Sequence, residues 1–151
     1  NISRDIVTNI RLYKPDIVMT WDPAPHFNMI PSEGWDDMGY HPDHQYTGEL
    51  TIDSIWYAHL DRMWTDLGDA WRVEYLYQWA FNPGVVPSHY FDITGTLYET
   101  KTEAMLENES QYTYTTEITD FLEFLNTQVA VNCNVLSNSI KYAEGFTYIY
   151  W

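Results

Sequence analysis

The chain has 151 residues, 45% of them hydrophobic, enough for one domain with a modest core. Its formal charge of -15, from 22 acidic and 7 basic residues, disfavours roles that need phosphate neutralisation, nucleic-acid binding first among them. No apolar run approaches the length of a membrane span, and no basic segment followed by an apolar stretch reads as a signal peptide.

In chain order the hydrophobic pattern alternates between helix and strand. Ile6, Val7, Ile10 and Leu12-Tyr13 fall at helical spacing from Ile2 to Tyr13, and Lys14-Pro15 ends that helix because a residue before proline avoids the helical region. Asp16 to Thr20 reads as a short buried strand. Trp21 to Tyr40, with Pro23, Pro25, Pro31, Gly34 and Gly39, reads as a long irregular loop of a length that usually serves a function.

A second helix is expected from Asp43 to Leu67, with Ile52, Ile55, Trp56, Leu60, Met63 and Trp64 on one side and Gly68 as its stop. Trp71 to Ala80 and Tyr90 to Ile93 have the aromatic and β-branched content of strands. Helices follow over Thr94 to Tyr112 and Glu117 to Val129, the latter with Thr116 as a candidate cap. Ser139 to Trp151 is extended and rich in Tyr and Ile. No internal repeat or low-complexity segment interrupts this order, which is that of an α/β sheet.

The chemistry concentrates in His41-Pro42-Asp43-His44, at the head of the second helix. Proline suits a first helical turn, and histidines three apart on a helix turn toward one side, so this tetrapeptide reads as half of a metal site. A lone pair of this kind is a weak signal, because catalytic zinc normally takes three protein ligands. Asp43 fits two roles from its position, a carboxylate that orients an imidazole or one that caps the helix. Asp22, just past the end of a strand, is placed to reach a pocket mouth, whereas His26, His59 and His89 have no defensible ligand role.

Cys133 is the sole cysteine, so no disulfide closes within these residues. Asn1-Ile2-Ser3 and Asn108-Glu109-Ser110 are acceptor sequences for N-glycosylation and are compatible with an extracellular or luminal protein. The aromatic fraction of 17%, with 13 Tyr and 7 Trp, exceeds ordinary usage; such rings pack cores and interfaces, and also line sugar sites.

Taken together, Lys14-Pro15-Asp16-Ile17-Val18-Met19-Thr20-Trp21-Asp22-Pro23, His41-Pro42-Asp43-His44-Gln45 with Gly48 and Asp53, Asp92-Ile93-Thr94 with Lys101, Ala104 and Ser110-Gln111, and Tyr142-Ala143-Glu144-Gly145-Phe146 resemble the second half of the PIG-L/LmbE-like N-acetylglucosaminyl deacetylases. The resemblance runs from about Ile6 to Phe146. It implies a Rossmann-like three-layer α/β sandwich, with residues 1–151 as the C-terminal part of one domain lacking its N-terminal strands and helices. It also implies His44 as a zinc ligand, His41 as the group that stabilises the oxyanion, and Asp43 as a positioning carboxylate.

This chain departs from the family in lacking the His-Pro-Asp-Asp-type motif of the first strand, which supplies two ligands and the general base. It also has Asn108 where many members have a histidine. The resemblance therefore implies zinc shared with a second polypeptide that brings the front ligands, the pair deacetylating an N-acetylated aminosugar. Two other readings stand beside it: a non-catalytic, assembling extracellular glycoprotein on the same fold, and an isolated sugar-binding module.

Overall fold

The computed structural model describes residues 1–24, 42–79, 86–108, 110 and 115–150. Its elements are α1 (Ile2–Tyr13), β1 (Ile17–Trp21), α2 (Pro42–His59), a 3-10 turn (Thr65–Leu67), β2 (Tyr75–Trp79), β3 (His89–Asp92), α3 (Thr96–Leu106), α4 (Thr115–Asn132) and β4 (Ala143–Tyr150). The strands form one mixed sheet in the order β1-β2-β4-β3, with β1 and β2 parallel and β3 and β4 antiparallel. The chain divides into two units, Asn1–Trp79 with Thr147–Trp151, and Ala80–Phe146.

In the first unit, α1 opens with the Asn1 side chain accepting the Ser3 N–H and closes at Lys14, which adopts the left-handed conformation before Pro15. Val7 and Ile10 are buried as the spacing requires, while Leu12 and Tyr13 turn outward. Parallel pairing sets Val18 opposite Leu76, and both face a core of Val7, Ile10, Ile55, Ala58 and Val73. Thus α1 and α2 pack on the same face of the β1–β2 pair, and this burial is the main stabilising term of the unit.

The expected helix from Asp43 to Leu67 is shorter than its pattern, ending at His59. Its buried face consists of Gly48, Thr51, Ser54, Ile55 and Ala58, mostly small residues, and Trp56 points outward. The early stop follows from Arg11, which is only 3% exposed. Its guanidinium donates to six carbonyls, those of Tyr57, Ala58, Leu60, Met63, Trp64 and Gly68, at 2.7–3.3 Å. Carbonyls gathered around one cation are turned away from the helical ladder, so the chain leaves the helix there.

In the second unit, β3 pairs with the first half of β4, from His89 opposite Phe146 to Asp92 opposite Ala143. Helix α4 supplies the core residues Ile118, Phe121, Leu122, Leu125, Val129 and Ala130. It begins at Thr115, so Thr116 lies inside the helix rather than capping it. Asn126, buried in that core, donates to the Ala143 carbonyl and accepts from Lys101, whose ammonium also pairs closely with Glu144. The two hydrogen bonds of this buried amide offset its desolvation and fix α4 against β4.

Candidate functional site

Because β1 and β2 are parallel, their carboxyl ends lie together, and Trp21 is the register partner of Trp79. Open α/β sheets bind ligands beyond the carboxyl ends of their strands. Helix α2 begins at this end: His44, in its first turn, stacks on Trp21 with ring centroids 3.7 Å apart and planes 4° from parallel. The indole of Trp79 lies 4.6 Å from Trp21, tilted by 35°. A stacked imidazole presents both nitrogens edgewise, which is the direction from which a metal or a hydrogen-bond partner must come.

Gly48 explains how the helix comes so near the strand. A Cβ at this position would lie 2.5 Å from the Trp21 carbonyl oxygen and 3.1 Å from Pro23. Only glycine admits that approach, one helical turn from His44. Asp22 folds back to accept the Ala24 N–H at 2.9 Å, an Asx turn that ends β1. Asp43 is exposed in the first turn of α2, where a carboxylate complements the helix dipole.

The remaining residues of interest in the sequence separate from this cluster. His41, the greater part of the Trp21–Tyr40 loop including His26, and Gln111 lie outside the described residues. His59 is at the far end of α2, about 22 Å from His44 along the axis. There it lines a shallow pocket of about 220 Å³ with Ile55, Trp56, Arg72 and Val73. His89 is exposed on β3, its Nδ1 3.1 Å from the Ser88 hydroxyl, and Asn108 folds back onto the carbonyls of Ala104 and Met105. Cys133 is half-buried, and that burial raises its pKa.

Sequence reasoning did not single out Trp21 or Trp79 as companions of His44. Its available signal was the tryptophan at each strand's carboxyl end, legible only once the register is known.

Among the described residues no three His, Cys, Asp or Glu side chains come together to hold a metal ion. The described residues form no such set, so no reaction step is routed through a metal here.

The fold defines the class first: an α/β chain with a mixed sheet and a histidine-bearing helix at the carboxyl ends of its parallel strands. In fold the chain is similar to the N,N'-diacetylchitobiose deacetylase of Pyrococcus horikoshii, at 24% identity and a TM-score of 0.71 over 98% of this chain and 51% of that one. The conserved protein TT1542 from Thermus thermophilus is similar at 20% identity and a TM-score of 0.67, over 97% and 57%. The 4-carboxy-2-hydroxymuconate hydratase GalB of Pseudomonas putida is similar at 19% and 0.58, over 99% and 58%. The chain thus spans between 51% and 58% of the length of these structures. No protein-family profile matches the chain, and no curated protein does.

Proposed function

We propose that this chain carries one half of the active site of a metal-dependent amidohydrolase that removes the acetyl group of an N-acetylated aminosugar. The other half comes from polypeptide outside residues 1–151. The observation that carries this reading is His44, held by Trp21 at the carboxyl end of a parallel strand, on a fold shared with a diacetylchitobiose deacetylase. The hydratase with the same fold is a reminder that architecture alone does not choose the reaction.

In this reading His44 is the chain's zinc ligand, and the other ligands and the general base belong to the completing half. Zinc held there would supply Lewis acidity toward an acyl carbonyl and a water of lowered pKa. The chain's own residues then have separable tasks: Trp21 fixes the His44 ring plane, Gly48 fixes the distance of α2 from β1, and Asp43 supports an imidazole or the helix end. His41 is assigned the oxyanion-stabilising role.

The test is zinc content and acetate release from N,N'-diacetylchitobiose by the completed protein. His44→Ala is expected to abolish both. His41→Ala is expected to keep the metal and lower the rate about a hundredfold, the scale of one lost oxyanion donor. Undiminished zinc in His44→Ala overturns the assignment. It would leave a non-catalytic, assembling role on the same fold as the better reading.

A further inference from the structure

We infer that the far end of α2 carries a second binding site, one for small planar organic acids: one or two fused aromatic rings bearing a carboxylate. The site is the pocket of about 220 Å³ formed by Ile55, Trp56, His59, Arg72 and Val73. Its His59 lies about 22 Å from His44 along the helix axis. Arg72 and Val73 come just before β2, so the pocket lies beside the amino end of that strand, whereas the residues around His44 gather at the carboxyl ends. A ligand held here is remote from the proposed reaction and does not depend on it.

The pocket has an apolar floor and a polar rim. Ile55 and Val73 belong to the buried core of the first unit and form the floor. Trp56 stands at the rim, 51% exposed, although the stripe of Ile52, Ile55 and Trp56 along the helix would bury it. An indole left half in water beside an apolar hollow is a wall on which a second ring stacks, with a gain beyond simple burial. His59 lies one turn further along α2, its ring centroid 6.3 Å from that of Trp56 and its plane tilted by 34°. A cavity of about 150 Å³ admits benzene, so the volume here suits one or two fused rings rather than a drug-sized or oligomeric ligand.

Charge at the rim selects the ligand's polar group. Among the lining side chains Arg72 carries the fixed charge, and its planar fork matches a carboxylate with two parallel N–H donors. A guanidinium has five N–H groups, which leaves donors for a ligand beside the contacts Arg72 makes within the chain. His59 adds a ring N–H in either protonation state. The carboxyl end of a helix normally repels an anion, but here the carbonyls of Tyr57, Ala58 and Leu60 accept from the Arg11 guanidinium. The net charge of -15 opposes an anion only at short range, because salt at about 0.1 M screens charges beyond about 10 Å. A cationic ligand would be repelled by Arg72, and a neutral one would gain little from the guanidinium fork.

The probe is 2-naphthoate, titrated into the completed protein labelled with fluorotryptophan and followed by fluorine NMR. The Trp56 and Trp21 resonances are those lost in Trp56→Phe and Trp21→Phe. The Trp56 resonance is expected to shift saturably, with a midpoint of about 1 mM or below, the scale for a ligand of about a dozen heavy atoms. The Trp21 resonance, which reports the surroundings of His44, is expected to stay where it is. Arg72→Gln, at an exposed position, is expected to raise the midpoint about tenfold or more through loss of a charge-assisted pair. The neutral 2-naphthylmethanol tests the same point without any variant and should bind weaker by about the same factor. A Trp56 resonance that stays fixed throughout the titration, or a shift confined to Trp21, overturns the second site. An unchanged midpoint in Arg72→Gln, or equal binding of the alcohol, overturns its selection of acids.

Discussion

The imidazole of His44 lies flat on the indole of Trp21, 3.7 Å between centroids, so a strand end fixes the orientation of a ring carried by the following helix. This contact makes Trp21 a positioning residue for His44. In the completed protein, Trp21→Leu is expected to weaken zinc affinity about tenfold to a hundredfold, the range for losing an outer partner of a ligand. Zinc titration separates this from a folding defect, because excess zinc should restore turnover in Trp21→Leu but not in His44→Ala.

Gly48→Ala tests the close approach of α2 to β1. The added methyl would meet the Trp21 carbonyl oxygen at 2.5 Å, which is backbone and cannot rotate away. The helix must shift, costing about 1–3 kcal/mol, and His44 shifts with it. Denaturant melts should show the loss, and kcat should fall more than stability alone accounts for. A variant with unchanged melting and turnover would show that α2 has slack at this point.

Arg11 is the second structural keystone of the first unit. Arg11→Met takes the guanidinium from six carbonyls, of which those of Tyr57, Ala58, Leu60 and Trp64 keep a backbone N–H, and is expected to destabilise by about 3 kcal/mol or more. Arg11→Lys should not rescue it, because a single ammonium cannot reach a ring of acceptors that a planar fork spans. Equilibrium unfolding followed by tryptophan fluorescence measures both variants.

Cys133 gives a prediction about pH. Burial raises the thiol above its ordinary value, so the neutral form is favoured in the folded state. That contribution to stability is present below the unfolded thiol pKa and is lost as pH rises through the folded one. Alkylation of the native protein at mildly alkaline pH should accordingly be slower than that of the denatured chain, since the thiolate is the nucleophile. Equal rates would mean that the thiol is effectively exposed.

Glu144 and Lys101 are joined closely, with Asn126 bridging to the Ala143 carbonyl. Replacing Lys101 by Met leaves the Glu144 carboxylate and the buried Asn126 oxygen without that donor. A loss of about 1–3 kcal/mol in the second unit is expected, partly relieved in the Lys101→Met, Glu144→Gln double variant. Urea melts of the four members of the cycle give the coupling.

Much of this molecule was legible in its residues. α1 and the strands β1 to β3 fall within a few residues of their patterns, because period and punctuation are local properties. The reach of α2 was not legible: its apolar pattern runs on to Leu67, but the carbonyls beyond His59 are claimed by Arg11, some fifty residues earlier in the chain. A cation that remote leaves no trace in a local window. The same holds for the outward turn of Trp56, which the helical stripe had assigned inward.

For the candidate site the division is similar. The sequence alone placed Asp43 and His44 at the head of a helix that follows a strand, since that is a matter of spacing. Only the tertiary structure decided that His44 lies against Trp21, that Trp79 stands beside it, and that Gly48 permits the approach. Those relations depend on the parallel register of β1 with β2 and on the packing of α2 over them. Both are set by burial of residues distant in sequence, which no local pattern contains.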